Sequence, residues 1–386
     1  MLRSLYSGIS GLSAHQKMLD VTGNNIANVN TVGFKGSSVQ FQDTLSQLVR
    51  NGAGPREDVG GSNPSQIGLG VQVAAIRTNF SQGSAQTTGV GTDLMISGDG
   101  FFVIREGNEN SYTRNGSFNF DSAGRLVTAG GGFVQGWTAV NGALNTGGGV
   151  GNITLPTGGT APAKATENAT VGGNLPSGAA VGDTLVRDVT VYAADGAAAQ
   201  LALTFTRTAA GWDVTDGTTT TSLTFTDGVQ AGPSSLNAVG GITVDLSAVT
   251  GYAGLSTIAV TGQDGYKAGE LVGYEISSSG AVIGTFSNGS TQTLAQIALA
   301  TFDNPEGLEK VGSSQYKAST NSGDPVVSEA GTNGAGSLMA GALEMSNVDL
   351  SQEFTNLIVA QRGFQANSRI ITTSDEVLQE LMSLKR

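Results

Sequence analysis

The sequence predicts a mainly β fold with an α-helix at each end, the two terminal helices forming a coiled-coil inner domain. Two observations lead to this prediction. Apolar residues recur at heptad spacing near both termini, and the chain between them is rich in glycine, with 58 glycines in 386 residues. An amphipathic helix needs a partner, because an isolated helix gains little stability in water. We therefore expect the chain ends to lie together beside two antiparallel β-domains, one inserted in the other.

The first helix is predicted over residues 1–28 and the last from about residue 344 to Arg386. The apolar residues at heptad spacing are Leu5, Ile9, Leu12, Leu19 and Ile26 in the first helix, and Leu350, Phe354, Leu357, Phe364, Ile371 and Leu378 in the last. We expect the first set to pack against the second, within or between subunits. Polar residues such as Gln16 and Gln361 interrupt both stripes. One helix pair would therefore be weak, and many pairs side by side would be stronger, which indicates assembly.

The middle of the chain is predicted as short antiparallel strands. Asn-Gly and Asp-Gly pairs, such as Asn115-Gly116 and Asp227-Gly228, supply the positive φ that two-residue hairpin turns require. We expect Asn115-Gly116 and Gly98-Asp99-Gly100 each to join two neighbouring strands. Changes of pattern predict these segments: a terminal helical domain at 1–35 and 344–386, extended connectors at 36–70 and 321–343, a discontinuous β-domain at 71–145 and 269–320, and an inserted outer β-domain at 146–268.

The sequence contains no convincing set of catalytic side chains. His15 is the single histidine and lies on the first helix without an evident nucleophile or orienting carboxylate. The carboxylate pairs Glu106 with Glu109 and Asp213 with Asp216 lie beside turn signals, where acidic residues serve turns and solubility. Cysteine is absent, which excludes disulfides and thiolate metal sites. We predict no enzymatic activity, no catalytic or metal-binding residue and no cofactor.

Charge and hydropathy restrict the partners and the location. The net charge is −12 and only 13% of residues are charged, which argues against binding to nucleic acid or to anionic membranes. No apolar run approaches the roughly 18 residues of a membrane-spanning helix. The N-terminus also lacks the features of a cleaved secretory signal. Such a chain either stays in the cytoplasm or leaves the cell by a route that does not cleave it.

Two long motifs carry a resemblance to a known family. The run from Leu19 to Lys35, LDVTGNNIANVNTVGFK, resembles the N-terminal signature of bacterial flagellar rod and hook proteins. The run from Glu344 to Arg369 resembles their C-terminal signature, and 97–103 with 112–118 is similar to their shared core domain. The residues matched to the N-terminal motif are Asn24, Asn25, Ala27, Asn28, Thr31, Gly33, Phe34 and Lys35. Residues 265–266, 286–289 and 296–300 resemble hook proteins in particular.

The resemblance implies a structural subunit that leaves the cell unfolded through the flagellar type III export apparatus. It implies that copies polymerise with one another into the hook, a flexible helical tube that acts as a universal joint and passes motor torque to the filament. The flagellar rod, the hook cap and the hook-filament junction proteins are the partners implied. The asparagines Asn24, Asn25 and Asn28 are expected to cap and turn the first helix, and Gly33 to permit a sharp bend.

Three alternatives remain open on the sequence. A distal rod subunit of the basal body resembles this chain at both ends, but such subunits are typically shorter and lack an insert like 146–268. A surface adhesin would also be threonine-rich and acidic, but it would need a signal peptide and an anchor. A carbohydrate-active enzyme would need paired carboxylates in a cleft on rigid strands.

Overall fold

The computed structural model describes residues 2–52, 54–55, 60–139, 143–156, 160–238 and 240–383. The chain is mainly β with one long helix at each end, as the sequence predicts: α1 spans Leu2–Ala27 and α2 spans Leu350–Ser383. The predicted end of the last helix at Arg386 lies outside the described residues. Helix α2 begins later than predicted because Ala342–Glu344 forms a strand paired with Ala85–Thr87. Asp349 then caps α2, since its Oδ1 accepts the N–H of Ser351 at 2.8 Å.

Both segments predicted as extended connectors contain paired strands. The first holds β1 (Ser37–Asp43), β2 (Ser46–Arg50) and β3 (Ser65–Gly68), followed by β4 (Val71–Thr78) and β5 (Ala85–Thr87). Strand β1 pairs antiparallel with β4, and β2 pairs antiparallel with β3. The prediction is wrong here because these two-stranded ladders are largely exposed. Their strands are joined by backbone hydrogen bonds, and most of their side chains stay in solvent.

The discontinuous β-domain is built around one sheet of thirteen strands. Its segment before the insert contains β6 (Leu94–Ser97), β7 (Phe101–Glu106), β8 (Glu109–Thr113), β9 (Phe118–Phe120), β10 (Leu126–Thr128), β11 (Phe133–Thr138), β12 (Gly151–Asn152) and β13 (Thr160–Ala161). The large sheet includes both β12 and β13, so it takes two strands from the segment predicted as insert. Its main core includes Phe102, Phe118 and Leu126, all fully buried.

The insert consists of two sheets that share a second core. Its strands are β14 (Asn168–Asn174), β15 (Thr184–Tyr192), β16 (Ala198–Arg207), β17 (Gly211–Thr215), β18 (Thr220–Thr226), β19 (Val229–Gln230), β20 (Ser235–Ala238), β21 (Ile242–Thr250) and β22 (Ala259–Gln263). Strands β15 to β19 form a five-stranded antiparallel sheet in chain order, and the other four strands form the second sheet. Strands β14 and β21 run parallel, contrary to the all-antiparallel prediction. Trp212, Phe205 and Leu246 belong to the shared core.

The chain then returns to the large sheet and to the terminal helix. The remaining strands are β23 (Gly269–Ile276), β24 (Ala281–Phe286), β25 (Thr291–Thr301), β26 (Glu309–Gly312), β27 (Gln315–Lys317), β28 (Val326–Glu329), β29 (Ser337–Ala340) and β30 (Ala342–Glu344). Strands β28, β29 and β30 occupy the second predicted connector and pair with β25, β6 and β5. The second β-segment is thereby fastened to the first before α2 begins.

Glycine turn signals were only partly informative. Asp227-Gly228 makes a hairpin turn between β18 and β19, with φ values of 51° and 80°. Asn115-Gly116 does not, because β8 pairs with β7 and β27 whereas β9 pairs with β10. Gly98-Asp99-Gly100 also joins strands that are not partners, since β6 pairs with β29. A Cβ on Gly116 would lie 1.7 Å from the carbonyl oxygen of Leu94, so this glycine permits a close backbone approach instead.

Candidate functional site: the junction of the two chain ends

The two terminal helices meet along small residues. A Cβ on Gly11 would lie 2.7 Å from Oδ1 of Asn367, and a Cβ on Gly363 would lie 2.5 Å from Nε2 of His15. Gly8 also faces α2, where a Cβ would lie 3.5 Å from the carbonyl oxygen of Asn367. Glycines at the crossing let the two backbones approach closely. Glycines therefore form part of the contact, and Ile371 from the predicted heptad set lies beside Gly8 at 3.5 Å from its Cβ position.

The predicted heptad residues divide into two groups. Eight are partly buried: Leu5, Leu12, Leu19, Ile26, Leu357, Phe364, Ile371 and Leu378. The other three, Ile9, Leu350 and Phe354, are exposed, with Phe354 at 51%. These three side chains are therefore largely uncovered within one chain. Packing of the two heptad sets against each other, within or between subunits, stays a prediction.

Helix α2 carries further apolar side chains that the rest of the chain does not cover. The exposed ones, besides Leu350 and Phe354, are Ile358, Val359, Ile370, Val377, Leu381 and Met382. At 100° per residue, Leu350, Phe354 and Ile358 share one side of the helix, whereas Val359, Ile370 and Val377 share another. A single neighbour along one seam would leave one of these sides in water.

Below the helices, a buried ion pair joins the two chain ends. Lys35 Nζ lies 2.6 Å from Glu344 Oε1, and neither side chain is exposed to solvent. Arg114 NH1 lies 3.4 Å from the other oxygen, Oε2, of Glu344. Lys35 also donates to the carbonyl oxygen of Ser81 at 2.7 Å. Glu344 accepts a further hydrogen bond, from the backbone N–H of Gly83, at 2.8 Å. The junction thus joins four segments that are distant in sequence.

Burial sets the electrostatics of this ion pair. It lowers the pKa of the Lys35 ammonium, and the hydrogen bond to Glu344 opposes that shift. Two buried cations share one buried carboxylate, so removal of Glu344 would leave both without a counter-charge. Glu344 is therefore the central acceptor of the junction.

Comparison with known proteins identifies the family. The model named Flagella basal body rod protein matches residues 5–35, Flagellar hook protein FlgE/F/G D1 domain matches 95–174, and Flagellar basal body rod FlgEFG protein C-terminal matches 339–384. The flagellar hook protein FlgE of Borreliella burgdorferi is 39% identical over 100% of both chains. The chain belongs to the flagellar FlgE/F/G family. Lys35 and Glu344 lie in the first and last of these matched segments.

Other members of the FlgE/F/G family align equally fully. The flagellar hook protein FlgE of Treponema pallidum is 38% identical, and the flagellar basal-body rod protein FlgG of Bacillus subtilis 36% identical, each over 100% of both chains. The crystal structure of the Helicobacter pylori flagellar hook protein FlgE2 superposes with a TM-score of 0.50 at 14% identity, over 67% of this chain and 100% of that one. That likeness concerns the fold alone.

The asparagines of the N-terminal motif have different roles. Asn28 Nδ2 donates to the carbonyl oxygen of Asn24 at 2.9 Å, and Thr31 Oγ1 donates to Asn28 Oδ1 at 3.0 Å. These contacts close the end of α1. Asn25 was expected to act in the same way, but it makes tertiary contacts instead. It is almost fully buried, and its Nδ2 donates to the carbonyl oxygen of Ser37 at 2.7 Å and to Glu353 Oε1 at 3.0 Å.

The rest of the motif shapes the turn from α1 into β1. Gly33 has a φ of +67°, and a Cβ there would lie 2.6 Å from the backbone nitrogen of Asn115. Phe34 is partly buried, with Lys310 Nζ 5.1 Å from its ring centroid. Ala27 ends α1 and is exposed. Gly33 also donates its N–H to the carbonyl oxygen of Glu344 at 2.8 Å, which again joins the two motifs.

Both motifs were visible in the sequence, but the contact between them was not predicted. Lys35 closes the first motif and Glu344 opens the second, so two opposite charges at facing motif boundaries were the available signal. Arg114 carried no such signal, because it lies in an ordinary strand-and-turn pattern. Its place beside Glu344 follows from the course of the large sheet.

The carboxylate pairs that were weighed as catalytic candidates have structural partners. Glu109 pairs with Lys317, and Glu106 Oε1 accepts from Gln315 Nε2 at 3.1 Å. Asp213 Oδ1 accepts from Ser222 Oγ at 2.6 Å, across two paired strands. Within the described residues, no group of three metal-ligating side chains is found. Among the described helices, none is long and apolar enough to cross a membrane.

Proposed function

We propose that this chain is the structural subunit of the bacterial flagellar hook. Copies of it polymerise into a flexible helical tube that acts as a universal joint and transmits motor torque to the filament. The observation that carries this proposal is the set of exposed apolar side chains on more than one side of α2. Such a helix buries its apolar surface only when several neighbouring helices surround it.

The layers of the tube follow from this assignment. Helices α1 and α2 line the inner wall, the discontinuous β-domain forms the middle shell, and the insert faces outward. The subunit reaches its place outside the cell through the type III export apparatus. There it meets the rod, the hook cap and the hook-filament junction proteins. Its work is mechanical, with no catalytic step.

A distal rod subunit is the second candidate, and one observation favours it. The rod protein FlgG of Bacillus subtilis aligns along this whole chain at 36% identity. The hook remains the better assignment because the hook proteins FlgE of Borreliella burgdorferi and Treponema pallidum align equally fully at 39% and 38% identity. Immunogold electron microscopy with an antibody against the insert separates the two. Gold on the short curved segment outside the envelope supports the hook, and gold confined to the rod supports the rod subunit.

The assembly proposal is tested with Phe354→Asp, produced in a strain that lacks its own copy of the gene. Phe354 is half exposed in the single chain, so a carboxylate there leaves the β-domains folded. In the polymer it would be buried without a counter-charge, and we expect hooks to be lost. The matched control is Phe354→Leu, which keeps an apolar side chain and should keep hooks. Normal hooks from Phe354→Asp would contradict assembly through this side of α2, although they would still show a hook subunit.

A further inference from the structure

The hairpin of β26 and β27 has a strained turn. Ser313 and Ser314 have φ values of 51° and 56°, a left-handed conformation that residues with a Cβ adopt at a cost. An Asn-Gly turn would make the same hairpin with less strain. The strained turn lies against the N-terminal motif, because Ser314 Oγ is 3.5 Å from the carbonyl oxygen of Val32. Thr113 Oγ1 fixes the other side of the turn through the carbonyl oxygen of Ser314 at 2.8 Å.

Lys310 on the same hairpin contacts the residues that follow α1. Its Nζ donates to the carbonyl oxygen of Lys35 at 3.1 Å and to Ser37 Oγ at 3.0 Å. It also lies 5.1 Å from the centroid of the Phe34 ring. These contacts join β26 to Phe34 and Lys35, which precede β1, and to Ser37, the first residue of β1. The hairpin therefore holds the helical end of the chain against the β-domain.

The two lysines at this junction differ in their counter-charge. Lys35 faces the carboxylate of Glu344, whereas Lys310 takes part in none of the ion pairs among the described residues. Burial lowers the pKa of Lys310, with no carboxylate hydrogen bond to oppose the shift. Lys310 keeps part of its side chain in solvent, and a cation held by neutral oxygens and an aromatic face gains less than one held by an anion. The Lys310 contact is thus the weaker of the two.

Beside this weaker contact lies open space. A groove of about 740 Å³ runs between the end of α1 and the β-domain. Asn28 and Thr31 line one side, Thr128 and Gly130 line the β-domain side, and Lys310 is among the lining residues. Here the helical end and the β-domain are not packed together, so a change in the angle between them meets little steric resistance.

We propose that the β26–β27 hairpin is a releasable tether that sets the angle between the terminal helices and the β-domain, with the Lys35–Glu344 pair as the pivot. This inference rests on the proposed hook function, because that angle governs how a subunit adapts as the tube bends. When the Lys310 contacts open, the β-domain tilts across the groove while the buried pair stays closed. The strained serine turn lowers the stability of the closed arrangement, so the Lys310 contacts open at a lower free-energy cost.

The test compares Lys310→Met with Lys317→Met, two changes on one hairpin. Lys317 pairs with Glu109 on the exposed side and does not contact the motif. In the monomer, we expect Lys310→Met to leave the melting temperature unchanged. The amides of residues 35–37 should exchange hydrogen about tenfold faster or more, the scale for loss of one hydrogen bond to a charged group. Lys317→Met should leave this exchange at the wild-type rate.

In the polymer, Lys310→Met hooks should form but lose the wild-type bending stiffness and curvature, measured by electron microscopy of isolated hooks. A purely structural role for Lys310 would lower the melting temperature without changing stiffness. Equal exchange and equal stiffness in the two lysine variants would overturn the tether. If the wild-type chain formed no hook, the proposed function would fail instead, and amide exchange in the monomer would still decide whether Lys310 holds the motif.

Discussion

The insert and the pair of terminal helices complete their packing at different levels. The insert buries large side chains within one chain: Phe205, Trp212 and Leu246 are at most 1% exposed. Helix α2 has 34 residues, and among those the structure describes only Ala360 is buried. The insert therefore forms its core alone, whereas the terminal helices keep apolar surface for neighbours. The difference separates what stabilises the subunit from what stabilises the polymer.

The physical reason lies in how the two regions use small residues. In the insert, alternation along the strands sends residues such as Leu203 and Phe205 into the shared core and leaves threonines outside. In the terminal helices, the intrachain contact is occupied by Gly8, Gly11 and Gly363. Glycine brings the backbones together but buries little apolar area. Large apolar side chains such as Phe354 and Val359 remain exposed on other sides of α2.

Trp212→Ala in the insert has one of the two largest expected effects on the subunit. This change empties a fully buried site and should cost about 3–5 kcal/mol of the free energy of unfolding. Scanning calorimetry should show the loss in one transition, while the remaining domains keep theirs and hooks still assemble. Leu255→Ala is the control, because Leu255 is 84% exposed. Loss of hooks from Trp212→Ala would show that insert and helices are not independent.

Glu344→Ala tests the junction that connects the two regions. The change leaves Lys35 and Arg114 buried without their anion and should cost about 3–5 kcal/mol in denaturant unfolding. Glu306→Ala is the matched control, since Glu306 pairs with Arg77 where both side chains are about half exposed. That control should cost less than about 1 kcal/mol. Equal losses of unfolding free energy in the two variants would mean that burial does not strengthen the Lys35–Glu344 pair.

Asp264 allows a smaller, pH-dependent test at the base of the insert. Burial alone would raise its pKa, but the backbone N–H groups of Asn168 and Glu167 donate to it and hold the pKa at about 2. Because the folded pKa lies below the usual 3.8, this stabilisation is present above pH 4 and is lost as the pH falls towards 2. Asp264→Asn should remove about 1 kcal/mol at pH 7, after screening, and flatten this part of the pH profile. An unchanged profile would argue against these hydrogen bonds.

The smallest expected effect on the subunit is that of Val359→Ser on α2. Val359 is 54% exposed, so the free energy of unfolding of the monomer should change by no more than about 0.5 kcal/mol. Hooks should nevertheless dissociate at a lower temperature than wild-type hooks. Ser351→Ala, at another exposed position of α2, serves as the control. A large loss of monomer stability in Val359→Ser would show that α2 already packs fully within one chain.

The sequence by itself determined the class of the fold and the presence of a long helix at each end of the chain. Heptad spacing located both helices, because an amphipathic period of 3.6 is a local property. Turn signals and alternation indicated β-structure throughout the middle. The motif ending at Lys35 and the motif beginning at Glu344 were both visible, and the family resemblance drawn from them is confirmed by full-length relatives.

Tertiary structure alone decided which of these local features meet. The partners of β8 and β9, the parallel pairing of β14 with β21, and the strands inside both predicted connectors depend on contacts distant in sequence. The Lys35–Glu344 pair joins residues 309 positions apart, and the charges at the two motif boundaries do not by themselves specify that they meet. Likewise, in the sequence a glycine such as Gly11 or Gly363 only interrupts the heptad pattern of apolar residues. Only the approach of the second helix makes it the point of contact.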